Sequence, residues 1–160
     1  MRRRLAALAV LSALGFGSAA QAAQQNDPVG DLLSSILSGA LPGTGVFNVK
    51  ATLYHAGAKG VGVLDSLGCK VVPMRTLAVD KTVIPRRTVV FIKETVGVKM
   101  PNGEAHDGYW YASDVGGAIK GQRIDLYTGH GAASMKPVKN LSLATLTAVK
   151  VGQFKGCPPG

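Results

Sequence analysis

Short runs of β-branched and aromatic residues, separated by glycine and proline, dominate the chain after residue 45. Apolar and polar positions alternate in several of these runs, which is typical of strands with one buried face. The runs are VFNVKATLYHAG, KVVPMRTLAV, RTVVFIKETV, YWYAS, RIDLYTG and SLATLTAVKVG. Short strands at this spacing predict a small all-β barrel or sandwich. Asn102-Gly103 predicts a hairpin turn between two of them.

A different pattern precedes the strands. In residues 23–45, Asp27 can cap a helix whose first turn holds Pro28, and apolar residues follow at helical spacing until Pro42-Gly43. This pattern predicts a short amphipathic helix or a linker. No long helical period occurs after residue 43.

Residues 1–22 have the pattern of a secretory signal peptide. A basic start is followed by a short apolar run and then by Ala20-Gln21-Ala22, which predicts cleavage after Ala22. The run is shorter than the roughly 20 apolar residues that span a bilayer. The alternative is a retained amphipathic or membrane anchor. We therefore expect a periplasmic or secreted protein, with its barrel domain in residues 46–160 and no stable membrane insertion of the mature chain.

Composition allows one domain and narrows the choice of partners. The chain has 160 residues, of which 46% are hydrophobic, enough for a single ordinary core. Removing residues 1–22 takes away three arginines and lowers the formal net charge from +9 to +6. Export leaves anionic lipid and acidic wall polymers as partners, while the alternative is that the charge serves only solubility. Scattered basic residues and only 6% aromatics argue against nucleic-acid binding.

The chain has two cysteines, Cys69 and Cys157. In an oxidising compartment, two lone cysteines predict one disulfide, and the alternative is a pair of buried thiols. Their wide separation argues against a zinc or redox site of the CxxC type.

Three aspartates lie at or near predicted strands. Asp80 follows TLAV, Asp114 ends YASD, and Asp125 lies inside RIDLY between two apolar residues. An aspartate in such a strand is costly to bury, so it needs a partner or a function. The alternative is structural: Asp114 caps the following turn, and Asp125 pairs with Lys120 or with an arginine, Arg123.

Two segments carry a resemblance to a known family. RTLAVDKTVIP and ASDVGGAIKGQRIDLYTGHG closely resemble the three-aspartate (3D) domain family, whose acids match Asp80, Asp114 and Asp125. The similarity spans roughly residues 51–151. One departure is Arg86-Arg87, where the family usually has Leu-Gly or a similar pair. The resemblance implies a double-psi β-barrel and cleavage of the MurNAc–GlcNAc bond of peptidoglycan without water, leaving a 1,6-anhydro end.

Glycosidic bond cleavage needs a protonated acid at the leaving oxygen, and Asp125 fits that acid because a partly apolar strand raises a carboxyl pKa. Ionised Asp125 can then take the proton from the sugar's own 6-hydroxyl as it attacks C1. We assign Asp114 to raising that pKa and to stabilising oxocarbenium charge, and Asp80 to orienting the site.

The predicted glycan contacts surround these acids. Lys120 can bind a lactyl or peptide carboxylate, or it is simply a solvated loop lysine. Gly116 and Gly117 leave an uncrowded approach for a sugar, and Tyr54 can stack on a sugar face. The three histidines, His55, His106 and His130, match no local metal-ligand spacing, so we expect no metal and no cofactor.

Two classes of function follow. The first is a peptidoglycan lytic transglycosylase that acts on glycan strands. The second is a non-catalytic, expansin-like barrel that only binds wall glycan. A pure binder has no need of a buried acid, so the three aspartates favour the enzyme.

Overall fold

Six strands close into a barrel in a computed structural model that describes residues 45–160 together with Gly30 and Ser34. The strands are β1 (Val46–Ala56), β2 (Thr76–Val79), β3 (Thr88–Ile92), β4 (Tyr109–Asp114), β5 (Arg123–His130) and β6 (Thr145–Gln153). Each strand overlaps one of the six runs identified in the sequence. The all-β barrel is therefore confirmed, and the double-psi arrangement stays a prediction.

The order of strands around the barrel is β1-β5-β2-β4-β3-β6. The pairs β1/β5 and β2/β4 are parallel, whereas the other neighbours are antiparallel. Strand β2 thus lies between β4 and β5, the two strands that carry Asp114 and Asp125. Closure leaves no free edge, so every strand pairs on both sides.

Inward-facing residues of all six strands fill the barrel. The largest fully buried side chains of this core include Trp110, Leu77 and Leu126, whereas Phe91 is buried in a separate cluster with Val149. Strand β2 is buried along its whole length, because it lies between two other strands and faces the core. This buried strand separates the two acid-bearing strands.

Two of the predicted runs are only partly strand, and a further segment has a structure that the sequence analysis did not predict. In RTVVFIKETV, Lys93–Thr95 form a 3-10 helix. The first half of KVVPMRTLAV is not strand, since Pro73 and a left-handed Met74 (φ 57°) interrupt it. Residues Ala132–Leu141 form a 3-10 helix with Pro137 inside it. A 3-10 helix has three residues per turn and lacks the 3.6-residue period that identifies α-helices in a sequence.

Two turns lie at positions that the sequence analysis singled out, Asn102-Gly103 and Arg86-Arg87. At Asn102-Gly103, the Gly103 N–H donates to the Met100 carbonyl at 2.9 Å, within a hairpin held by one isolated bridge between Lys99 and Ala105. Arg87 has a φ of 68°, a left-handed conformation that favours glycine. A glycine at this position, as in the Leu-Gly pair usual in the family, adopts this backbone without steric cost, whereas Arg87 adopts it against the preference of a residue with a Cβ.

Cys69 and Cys157 form the disulfide that the sequence predicts, with Cα atoms 5.5 Å apart and a sequence separation of 88. The bridge ties the C-terminal segment to the loop that precedes β2. No described cysteine is free.

The signal peptide and the N-terminal helix or linker lie outside the described residues, apart from Gly30 and Ser34, which are helical, and Gly45. Within the part of the chain that is described, no helix combines the length and the apolar character needed to cross a membrane.

Candidate active site

A cleft of about 240 Å³ on the barrel contains both Asp114 and Asp125. Asp114 is the last residue of β4, and Asp125 is the third residue of β5. Tyr54, from β1, also lines this cleft. Residues that are far apart in sequence therefore meet here because their strands are neighbours in the barrel.

Ala78 separates the two acids. In the strand register, Ala78 of β2 is aligned with Asp125 on one side and with Asp114 on the other. Two strand spacings of about 4.8 Å put the two aspartate backbones about 10 Å apart. Since Ala78 has only a methyl side chain and lines the cleft, the space between the carboxylates stays open.

Three donors hold the Asp114 carboxylate. Its Oδ1 accepts the backbone N–H groups of Ser66 at 3.1 Å and Val115 at 2.9 Å, and its Oδ2 accepts the Tyr54 hydroxyl at 3.0 Å. The carboxylate is the acceptor in all three of these hydrogen bonds. The contact with Val115 agrees with the capping alternative, but the other two donors come from distant segments.

Asp125 has the opposite environment. Its Oδ1 is buried and has no hydrogen-bond partner. Burial raises the pKa of Asp125 to about 6, Asp114 adds to the rise, and Thr52 and Arg123 oppose it. Of the two causes that the sequence suggests for the raised pKa, burial therefore contributes more than the Asp114 charge. Among the described residues, neither Lys120 nor Arg123 forms a salt bridge with Asp125.

Asp80 lies outside this cleft. It lines a neighbouring cleft of about 300 Å³. Its Oδ2 accepts the Gly121 N–H at 2.8 Å, and its Oδ1 accepts the N–H and hydroxyl of Thr82 at 3.0 and 2.7 Å. The Gly121 N–H, followed by the Thr82 donors, lowers the pKa of Asp80 to about 2. Asp80 thus anchors the end of the glycine-rich loop between β4 and β5.

The other predicted contacts divide between the two clefts. Lys120 and Gly117 line the Asp80 cleft, and Gly116 lines both. A Cβ at Gly116 would lie 2.7 Å from Ile119 Cγ1, so a side chain would force Ile119 to move. The structure therefore brings Gly116 to the acid pair but not Lys120.

Tyr54 contacts the acid pair through its hydroxyl. Its ring packs against Tyr127 with centroids 5.1 Å apart. Burial, with the charge of Asp114 as the next cause, raises the pKa of Tyr54, so the hydroxyl stays protonated and donates. The structure assigns Tyr54 to holding Asp114, in addition to the sugar contact that the sequence predicts.

Several residues of the site were not identified from the sequence. Ser66 and Ala78 have no chemical signature of their own, because their importance comes from the strand or turn beside them. Leu64 and Val115 also line the cleft, with 59% and 39% of their surfaces exposed. Exposed apolar side chains beside a polar cleft are typical of ligand-binding grooves.

The histidines have other environments. His106 is buried, its Nδ1 accepts the Gly108 N–H at 2.8 Å, and its ring stacks on Trp110. Burial lowers the pKa of His106, which keeps the ring neutral. No three His, Cys, Asp or Glu side chains converge as metal ligands in the described part of the chain.

Replacing Asp125 with Asn is expected to stabilise the fold at alkaline pH. The folded pKa of about 6 exceeds the ordinary 3.8, so ionisation destabilises the fold as pH rises through 6. After allowing for partial exposure, the gain at pH 8 is about 1–2 kcal/mol, or a few degrees in Tm. Calorimetry should show no difference below pH 4, where both side chains are neutral. A gain independent of pH would contradict this origin, and Glu104→Gln, an exposed change, is the control.

The fold and the site define a small β-barrel with a paired-carboxylate cleft. The model of the 3D domain family matches residues 75–138, a segment that contains all three aspartates. The resemblance to this family is therefore confirmed over that segment.

Solved structures give further similarities. Lytic transglycosylase MltA of E. coli is 24% identical, covers 61% of this chain and has a TM-score of 0.42. LtgG of Burkholderia pseudomallei is 27% identical, covers 57% and has a TM-score of 0.39. The chain spans 29% and 26% of those two structures, less than a third of either. No curated protein sequence matches it.

Proposed function

We propose that this protein is an exported peptidoglycan lytic transglycosylase that cleaves the MurNAc–GlcNAc bond and leaves a 1,6-anhydroMurNAc end. The 3D domain match supports this function at the level of the family. The observation that carries the proposal is the contrast between two carboxylates on either side of Ala78. Asp125 has a buried Oδ1 without a hydrogen-bond partner, whereas Asp114 is held by three donors.

The first half of the reaction needs a proton and a fixed negative charge. Asp125 is protonated below its pKa of about 6 and in part above it, and it donates this proton to the glycosidic oxygen. The C1–O bond breaks, the GlcNAc hydroxyl leaves, and positive charge develops at C1. Asp114, oriented by Tyr54, Ser66 and Val115, stabilises that oxocarbenium charge.

The second half uses the same group as a base. Asp125, now ionised, takes the proton of the MurNAc 6-hydroxyl while O6 attacks C1. The 1,6-anhydro bond forms, and Asp125 is again protonated. No water is consumed, because the sugar's own O6 attacks C1, and no second base is needed, because the proton returns to the group that supplied it.

The surroundings suit a glycan strand. Leu64 and Val115 offer apolar surface to the C–H faces of sugar rings. The cleft adjoins the one lined by Asp80 and Lys120, since Val115, Gly116 and Ile119 line both. In this proposal, Lys120 binds a carboxylate of the muramyl substituent one cleft away from the broken bond, and Asp80 holds the loop between them.

Digestion of purified sacculi tests the function. The mature protein, starting near Ala23, is expected to release muropeptides that are lighter by one water than hydrolysis products, as measured by mass spectrometry. Products that have gained water would indicate a hydrolase. Pelleting with sacculi without any product would indicate the glycan-binding alternative. N-terminal sequencing of exported protein checks the cleavage site.

A further inference from the structure

The turn from Asp65 to Cys69 connects the disulfide to the acid pair. Asp65 donates its N–H to the Cys69 carbonyl at 2.8 Å, and its Oδ1 accepts the N–H groups of Leu67 at 3.0 Å and Cys69 at 2.8 Å. Asp65 and Cys69 are both buried. The disulfide to Cys157 anchors one end of this turn.

Ser66 joins the turn to strand β4. Its N–H donates to Asp114 Oδ1 at 3.1 Å, and its hydroxyl donates to the Ser113 carbonyl at 2.8 Å. Its own carbonyl accepts Arg86 Nη1 at 3.0 Å. Three contacts with two distant segments therefore set the position of one serine, and one of these contacts is to the carboxylate beside the cleft.

We propose that Ser66 is a positioning residue for Asp114, and that the Cys69–Cys157 disulfide keeps Ser66 in place. The turn lies outside residues 75–138, so the family match assigns it no role. This inference rests on the proposed function, because it concerns how the Asp114 carboxylate is held for the reaction.

The physical effect follows from the hydrogen bonds. Without the Ser66 donor, Asp114 Oδ1 keeps only the Val115 N–H and loses its fixed orientation, while the Tyr54 hydroxyl still holds Oδ2 beside the cleft. The Asp114 charge is then less compensated. The charged and titratable groups around Asp125 are Asp114 and Arg123, with Tyr54 and Tyr127 beyond them. A less compensated Asp114 raises the pKa of Asp125, while a displaced Asp114 stabilises the transition state less.

The test is a double-mutant cycle with Ser66→Ala and Asp114→Asn. Ser66→Ala keeps the backbone N–H but removes the hydroxyl bond to Ser113 that holds this N–H against Asp114. It is expected to lower kcat about tenfold with little change in KM, since small misplacements of catalytic groups are costly. Its kcat profile should move to higher pH. In the Asp114→Asn background, Ser66→Ala should have no further effect on either quantity. Ser142→Ala, an exposed serine elsewhere, is the control and should match wild type.

Three results would overturn the inference. They are an unchanged kcat in Ser66→Ala, an equal fall in kcat in the wild-type and Asp114→Asn backgrounds, and a change confined to KM. Ser66→Thr, which keeps the hydroxyl, should restore kcat. If Ser66→Ala does not fold, wild-type protein with its disulfide reduced is tested instead, at a temperature below its melting temperature. We then expect the same fall in kcat and the same pH shift.

A second readout separates this inference from the proposed function. Carbon-13 NMR titration of the Asp125 carboxyl needs no catalysis. A higher Asp125 pKa in Ser66→Ala, absent when Asp114 is Asn, supports the positioning role even if sacculi are not cleaved. Cleavage by wild type with an unchanged Asp125 pKa in Ser66→Ala would refute the inference and leave the proposed function standing.

Discussion

Asp125→Asn is expected to abolish glycan cleavage, with a loss of about a thousandfold or more in the release of anhydromuropeptides. The substitution removes the proton that Asp125 donates to the leaving oxygen and the base that it becomes afterwards. Asn has nearly the same size and stays within the same strand, so the barrel and its affinity for sacculi should remain. Mass analysis of digested sacculi, together with a pelleting assay, measures both.

Asp114→Asn provides the comparison. It should lower the rate less specifically, and its activity profile should move to lower pH, because the nearby negative charge that raises the pKa of Asp125 is gone. Glu104→Gln, which neutralises an exposed acid elsewhere, should leave cleavage unchanged. An active Asp125→Asn protein beside an inactive Asp114→Asn protein would exchange the two assignments.

Removal of the disulfide should have the largest effect on stability. Its sequence separation of 88 gives about 4.6 kcal/mol in the loop-entropy model, and native bridges typically contribute about 2–5 kcal/mol. Replacing both Cys69 and Cys157 with Ser should therefore lower Tm by about 10 °C or more. Calorimetry of the variant, and of reduced against oxidised wild type, checks this. Coincident melting curves would show that the bridge contributes nothing.

The strands were predictable because alternation and β-branched residues are local signals, and all six runs overlap strands. The order and register of the strands around the barrel were not, since register depends on pairing between distant segments. Strand β1, for example, is parallel to β5 and antiparallel to β6. The 3-10 helix at Ala132–Leu141 was missed because its period differs from that of an α-helix.

The residues of the site also divide into those that the sequence reveals and those that it does not. Asp125 was recognisable as a candidate functional acid because a carboxylate between Ile124 and Leu126 is anomalous within a strand. Its small neighbour Ala78 and the donor Ser66 are ordinary residues whose roles depend on what lies across the sheet. Asp80 and Lys120 belong to the same family motifs as Asp114 and Asp125, but they line the adjacent cleft. Sequence spacing does not reveal this separation.

The pairing of strands that are distant in sequence also determines the stage of folding at which the site can form. Asp125 acquires its environment only after β5 has paired with both β1 and β2, whose aligned residues Thr52 and Ala78 lie 73 and 47 positions earlier in the chain. Barrels with such distant pairings fold slowly, typically over milliseconds to seconds. A partly folded chain therefore keeps the two aspartates separated and solvated until β4 and β5 have both paired with β2. The cleft exists only when these distant pairings are complete, so any activity of this site requires the closed barrel.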